Sequence, residues 1–295
     1  VSIVGKPNVG KSTLMNQLVG ENLAIITSKA QTTRHRIMGI LSGDDYQIVY
    51  SDTPGIIQPK YELHKKMMRF VTNSLQDADV ILFVTDIYEK FDENDVLKIL
   101  QDTAIPIVLI INKIDLAEQA VIEEKVEYWK EKLNPKAVLA LSALHNFNTE
   151  SVLKVIKEFL PTHPAFFSKD TLTNKSERFF AAEIIREKIF LNYEKEIPYC
   201  CQVEIIAFDD KSKDDLIKIS AEIYVERKSQ KGIIIGKGGK MLTKVGTAAR
   251  LDMEKFFGKR VYLQQFVKVE SDWRKKPQKS LYLAIFSFSC QFLSI

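Results

Sequence analysis

Gly5-Lys6-Pro7-Asn8-Val9-Gly10-Lys11-Ser12, with Thr13 after it, spells GxxxxGKS, the pattern of a phosphate-binding loop between a strand and a helix. Its glycines let successive backbone N–H groups turn inward on a β-phosphate, at the positive end of the following helix. Lys11 reaches the β- and γ-phosphates as a point charge, and the Ser12 hydroxyl is a magnesium ligand. Such a loop alone serves ATPases and kinases equally. Asn112-Lys113-Ile114-Asp115 narrows the choice. Guanine presents N1–H and N2–H on one edge, and a carboxylate at Asp115 accepts both. Asn112 is placed against the opposite edge and the Lys113 stem on the face of the base. An adenine would leave the buried Asp115 charge unpaired, a penalty large enough to exclude it.

Two shorter motifs stand in the same order along the chain. Asp52-Thr53-Pro54-Gly55 follows Tyr46-Gln47-Ile48-Val49-Tyr50-Ser51, whose β-branched and aromatic content reads as a strand. Asp52 is expected to hold magnesium through water, and the Gly55 N–H to sense the γ-phosphate. Ser142-Ala143-Leu144, after the apolar run Ala137 to Leu141, offers a further backbone N–H to the guanine oxygen. Thr33 is the choice for a threonine that closes on magnesium, with its neighbour Thr32 an open alternative. The expected ligands are therefore GTP or GDP and Mg2+.

With 295 residues the chain is long for one core and comfortable for two domains. A net charge of +4 permits an anionic partner without demanding one. Cys200 and Cys201 are adjacent and Cys290 is distant, which gives neither a disulfide framework nor a metal spacing. His35, His64, His145 and His163 are scattered without ligand spacing, so metal-centred or nucleophilic catalysis has no support. Val1 stands where a first strand is already under way, so a missing N-terminal stretch is expected and no leader is readable.

Residues 1–160 alternate short apolar runs (Val80 to Thr85, Ile107 to Ile111) with helical stretches (Ser12 to Val19, His64 to Leu75, Glu118 to Lys132, Thr149 to Leu160). That pattern predicts an α/β domain with a mostly parallel sheet covered on both faces, its motifs at the carboxyl ends of strands. Pro161-Thr162-His163-Pro164 and the polar stretch after it, residues 161–176, read as a linker. From 177 to 274 the order is helix, strand, strand, helix, GxxG, helix, strand, which is that of an α+β type II KH domain. Leu216 to Glu226 has Ile217, Ile219, Ala221, Ile223 and Val225 on alternate positions.

The second glycine loop has other chemistry. Gly236-Lys237-Gly238-Gly239 joins two helices so that a nucleic-acid backbone approaches the main chain, with Lys237 facing phosphates. Ile233, Ile234 and Ile235 are expected to bed unstacked bases, and Lys228, Lys231, Lys240 and Lys244 to form a positive rim. GKGGK lacks the spacing and the following Ser or Thr of a second nucleotide loop. Single-stranded RNA is the expected partner, and no DNA.

In these stretches the chain resembles the Era-type GTPases, which join a Ras-like G domain to a KH domain. Its most particular matches are Gln31-Thr32-Thr33-Arg34-His35-Arg36, Glu183-Ile184-Ile185-Arg186-Glu187-Lys188, and Val267-Lys268-Val269 before Trp273-Arg274. The resemblance implies GTP hydrolysis, binding of the 3′ end of small-subunit ribosomal RNA, and a part in maturation of that subunit. Where Ras-like enzymes orient water with a glutamine, this chain has Ile56. Related GTPases with an apolar residue there imply potassium held partly by Asn8, with Lys11 and Thr33 completing the catalytic set. The alternative for Asn8 is a loop residue bonding its own backbone.

Beyond Arg274 the likeness ends. Residues 275–295 form an apolar tail shorter than a bilayer span, read as translation past an altered exon or frame, with packing on the KH domain and a peripheral membrane contact as other readings. A regulatory GTPase at a membrane or protein partner, with the KH block as a protein platform, is accordingly the second functional class. The stretch from Glu177 to Gln202 looks most like plant organellar members. A chloroplast is favoured, with a mitochondrion or a bacterial cytoplasm as alternatives.

Overall fold

The structure, a computed structural model, describes residues 1–29, 31–89, 95–210, 215–271 and 273. Arg274 and the tail 275–295 lie outside the described residues. Two compact units divide between Asn174 and Lys175.

The first unit carries β1 (Ser2–Val4), α1 (Lys11–Val19), β2 (Ile37–Ser42), β3 (Gln47–Asp52), α2 (Glu62–Gln76), β4 (Ile81–Asp86), α3 (Asp95–Asp102), β5 (Ile107–Asn112), α4 (Gln119–Leu133), β6 (Ala137–Ala140) and α5 (Glu150–Phe159). Its six-stranded sheet runs β2-β3-β1-β4-β5-β6, with β2 antiparallel to β3 and the other pairings parallel. β4 and β5 are buried along their whole length, as continuous apolar runs in a covered parallel sheet must be. Helix bounds fall within two residues of the sequence reading, a difference set by frayed ends.

The stretch read as a linker is in large part an arm of this unit. Ile40 N–H donates to Leu172 O at 2.8 Å, Thr173 Oγ1 donates to Met38 O at 2.7 Å, and Gly39 bridges Thr173. Gln47 adds two bonds to the Phe167 backbone, each of 2.9 Å. The arm satisfies the free edge of β2 partly through backbone groups, as at Ile40 and Leu172, which carry no side-chain period to be read.

The second unit carries α6 (Glu177–Asn192), α7 (Ile197–Cys200), β7 (Gln202–Asp209), β8 (Leu216–Val225), α8 (Lys228–Ile235), α9 (Lys240–Phe257) and β9 (Arg260–Val269). The sheet order is β7-β8-β9, antiparallel then parallel, with a bulge between Ile205 and Ala207. All five alternate residues of β8 from Ile217 to Val225 are buried, and they pack in one core with Ile185 and Ile189 of α6 and Val245, Ala249 and Met253 of α9. Ser176 caps α6 by accepting from the Phe179 N–H.

Candidate functional site

The phosphate loop leaves β1 through Gly5 and enters α1 through Gly10. At Gly5 (φ 153°) a β-carbon would stand 2.0 Å from Val84 O, and at Gly10 (φ 97°) 2.1 Å from Asn112 Nδ2. Neither position tolerates a side chain. Lys11 is buried at the start of α1 with Nζ donating to Lys6 O at 2.7 Å. Burial lowers its pKa to about 8, against the opposing pull of Asp52 and Glu89.

Ser12, Thr33 and Asp52 converge. Ser12 Oγ donates to Asp52 Oδ2 at 2.7 Å and lies 2.9 Å from Thr33 Oγ1. Thr32 points elsewhere: its hydroxyl donates to Lys29 O at 2.7 Å and meets Thr27 Oγ1 at 2.6 Å. Burial raises the Asp52 carboxyl to about 6 even though Lys11, Ser12 and Thr33 pull it down. Its Oδ1 is buried and has no hydrogen-bond partner. A carboxylate with one orphaned oxygen beside two hydroxyls is a hard-oxygen donor set of the kind magnesium selects, so the residues present fit that ion.

These groups open on a cavity of about 580 Å³ lined by Asn8, Gly10, Lys11, Ser12, Thr13 and Gly55 at one end and by Asn112, Lys113, Asp115, Ser142 and Leu144 at the other. Three sequence assignments change. Thr53 and Pro54 are buried behind the cavity, Thr53 bonding Ile3 O at 2.8 Å, so they tie β3 to β1 and do not face a ligand. Asn112 uses its amide on the protein itself, donating to Val9 O at 2.8 Å and accepting from Ala143 N–H at 2.9 Å. That leaves one N–H and one lone pair for a base. Within Ser142-Ala143-Leu144, expected to offer a backbone N–H to the guanine oxygen, the Ala143 N–H is thus already engaged with Asn112 and the Ser142 N–H with Phe147 O at 3.1 Å.

Asp115 stands at the rim with its side chain 25% exposed and His145 Nε2 at 3.7 Å. The expectation of a buried Asp115 charge therefore does not hold in the protein alone, because the carboxylate sits in an exposed turn. Lys113 adopts the left-handed region (φ 62°) and its amine is anchored 2.8 Å from Asp86 Oδ2 at the end of β4. Glu89, close by, accepts from Thr85 Oγ1 at 2.9 Å and lies 3.6 Å from Lys6 Nζ. Burial raises the Glu89 carboxyl. Neither acid belongs to a motif, so sequence reading had no signal for them. Asn8 (φ 66°) bonds Ser28 O at 3.1 Å through Nδ2, across to the loop between α1 and β2 and not to its own loop. His64 is buried, bonded to Gln31 Oε1 at 3.1 Å, with its ring centroid 3.8 Å from that of Tyr61 at a tilt of 32°. Ile56 is buried in the core, its N–H on Gly5 O at 3.0 Å. No group of three or more metal-type ligands occurs among the described residues.

In the second unit Gly236 (φ 70°), Gly238 (φ 62°) and Gly239 (φ 77°) turn α8 into α9. A β-carbon at Gly236 would meet Met241 at 2.7 Å, whereas at Gly238 and Gly239 nothing lies within 4 Å. The last two glycines are required by backbone dihedral and not, in the protein alone, by crowding. Beside the turn is a groove of about 620 Å³ lined by Lys231, Ile235 and Leu242 on one side and by Gln265, Val267 and Lys268 on the other. Ile234 is not part of it. It is fully buried in the core, and its carbonyl accepts from Tyr193 OH at 2.6 Å. Helical phase explains this, since consecutive isoleucines cannot share a face: Ile233 is exposed, Ile234 inward, Ile235 at the groove. Lys237, Lys240 and Lys244 are exposed around the turn.

Comparison with known proteins agrees with both halves. A family described as "50S ribosome-binding GTPase" matches residues 1–113, and one described as "KH domain" matches 196–274. GTPase Era of Alkaliphilus metalliredigens is 43% identical over 94% of this chain and 94% of its own. A "GTPase ERA-like, chloroplastic" of Oryza sativa is 44% identical over 93% of this chain and 66% of its own. Two solved structures of Era, one from Aquifex aeolicus bound to GDP.AlF4- and one in complex with MgGDPNP and nucleotides 1506-1542 of 16S ribosomal RNA, each superpose with a TM-score of 0.90 at 36% identity over 97% of both chains. With a P-loop unit, a KH unit and relatives alike along nearly the whole length, the chain belongs to the Era family of GTPases.

Proposed function

We propose that this chain is a magnesium-dependent GTP switch whose KH unit binds single-stranded ribosomal RNA of the small subunit during its maturation. The observation that carries the switch is the convergence of Ser12, Thr33 and the orphaned Asp52 Oδ1 beside a buried Lys11. Thr33 belongs to the loop between α1 and β2 and Ser12 to the phosphate loop, so together they would hold a γ-phosphate's metal and the first of these loops would close on it as a switch. Bound magnesium supplies positive charge to the β- and γ-phosphate oxygens. Lys11 would hold the same oxygens, and the Gly55 N–H, at the cavity wall, is the donor we assign to the γ-phosphate. Asp115 selects guanine over adenine, with Asn112 holding the base loop to the phosphate loop.

Ile56 leaves no side chain to orient the attacking water, so intrinsic turnover is slow. Asn8 has its amide nitrogen on Ser28 O, and its carbonyl oxygen is the donor offered to potassium. If turnover is equal in sodium and potassium and Asn8→Ala leaves it unchanged, the potassium part is wrong.

The ribosomal partner is argued from likeness. The family matching residues 1–113 is described by the 50S ribosome, whereas the likeness over 97% of the chain is to a 16S RNA complex. The longer match includes the KH unit, which favours the small-subunit RNA as partner. A filter-binding assay with single-stranded small-subunit RNA tests it: binding should weaken steeply with salt and be lost in Gly238→Asp, which sets a side chain and a negative charge at the turn that would meet the phosphates. Absence of salt-sensitive binding would favour a protein platform. Among the described residues no helix is long and apolar enough to cross a membrane. The relative labelled chloroplastic supports an organellar compartment, which the complete transcript 5′ end would test.

A further inference from the structure

One buried acid of the first unit has no part in the roles assigned so far. Glu89 closes the turn Asp86-Ile87-Tyr88-Glu89 at the end of β4. Its Oε2 accepts from Thr85 Oγ1 at 2.9 Å, whereas Oε1 is buried with no hydrogen-bond partner. A carboxylate out of water with one oxygen unanswered weakens the fold, so packing does not account for it. The backbone pins it in place. Its N–H donates to Asp86 Oδ1 at 3.0 Å, and its carbonyl accepts from Lys125 Nζ of α4 at 2.8 Å. Oε1 faces Lys6 Nζ at 3.6 Å, within ion-pair reach and beyond that of a hydrogen bond.

Lys6 stands between Gly5 and Pro7 in the phosphate loop and does not line the cavity, so its amine serves the loop and not the ligand. Its carbonyl is the acceptor of Lys11 Nζ at 2.7 Å. Lys11, Lys6 and Glu89 thus form one chain from the cavity to the turn after β4. The same turn holds Lys113 of the base loop through Asp86 Oδ2 at 2.8 Å. Resting on the reading of Lys11 as the phosphate lysine, we propose that Glu89 is a positioning residue for the nucleotide's β-phosphate: its carboxylate holds Lys6, and through it the phosphate loop, in the shape that presents Lys11. The charge of Glu89 also favours the cationic form of buried Lys11, as that of Asp52 does from β3.

The test measures GDP and GMP on the full chain by competition against a fluorescent GDP. GMP ends at the α-phosphate, so it reports the base site without the group that Lys11 holds. Glu89→Gln keeps the shape and the bond from Thr85 but removes the charge; it should weaken GDP by about 5- to 30-fold and GMP by less than about twofold. Lys6→Met should do the same. The double variant should lose no more than either single one, because both cut the same tether. Thermal melts should show Glu89→Gln at least as stable as wild type, since a buried charge is gone. Losses that multiply in the double variant, equal losses for GDP and GMP, GDP binding unchanged in Glu89→Gln, or a Glu89→Gln that melts below wild type each overturn the role of Glu89 alone. GDP binding unchanged in Lys11→Met sinks the phosphate-loop reading and this proposal together.

Discussion

Asp52→Asn separates what the carboxylate does for the fold from what it does for the metal. In the protein without ligand this carboxyl is buried, one oxygen is orphaned, and burial raises its pKa from 3.8 to about 6. A raised carboxyl pKa means the folded state resists ionisation. Stability from this group is fully present below about pH 4, falls as pH rises toward 6, and stays low above. Two pKa units correspond to about 3 kcal/mol. Asparagine removes the charge and keeps the shape, so in EDTA at pH 7.5 the variant should be more stable by about 1–3 kcal/mol. The range is set below the full figure because buried Lys11 loses the Asp52 charge that opposes its own desolvation. Each kcal/mol should raise Tm by roughly 2–4 °C. Differential scanning calorimetry with and without magnesium and GDP reads it: wild type should gain from the pair and the variant should gain far less. A variant less stable than wild type in EDTA at pH 7.5, or one stabilised by magnesium and GDP as much as wild type, would refute the reasoning.

Further outcomes follow from the same geometry. Nucleotide affinity should fall above pH 8, by about tenfold per unit beyond pH 9, because phosphate binding must reprotonate Lys11, whose pKa in the free protein is about 8; fluorescent GDP titrations across pH check it. Magnesium dependence should weaken below pH 6 as Asp52 takes up its proton, visible in the same titrations. Asp86→Asn, which keeps the bonds to the Tyr88 and Glu89 N–H groups but removes the charge 2.8 Å from Lys113 Nζ, should weaken GTP by about 5- to 30-fold and leave RNA binding unchanged. Ile234→Ala should destabilise the second unit by about 2–5 kcal/mol, whereas exposed Ile233→Ala should change it by under about 0.5 kcal/mol, as chemical denaturation would read.

What was legible in the sequence and what was not divides on whether the information is contiguous. The phosphate loop and Asn112-Lys113-Ile114-Asp115 were readable because each packs its chemistry into a few consecutive residues of fixed geometry. The strand Leu216–Val225 was readable because burial on one face forces a period of two. The choice between Thr32 and Thr33 was not, since both suit a loop and only the approach of α1 and β3 turns one toward Ser12. Asp86 and Glu89 act across the fold on lysines far away in sequence and belong to no spacing rule. Ile234 was misplaced because an apolar triplet carries no phase until the helix it sits on is anchored. The arm around Leu172 and Thr173 escaped because strand-edge pairing through backbone groups leaves no trace in side-chain chemistry.

Guanine selection by the rim carboxylate of Asp115 works together with the buried phosphate lysine Lys11. Isothermal titration of GTP and ATP against wild type and Asp115→Asn measures this directly. GTP should bind and ATP should not, and the substitution should weaken GTP by at least about a hundredfold, the penalty of a lost charged pair of bonds. Tight ATP binding to wild type, or GTP affinity unchanged in Asp115→Asn, would contradict it.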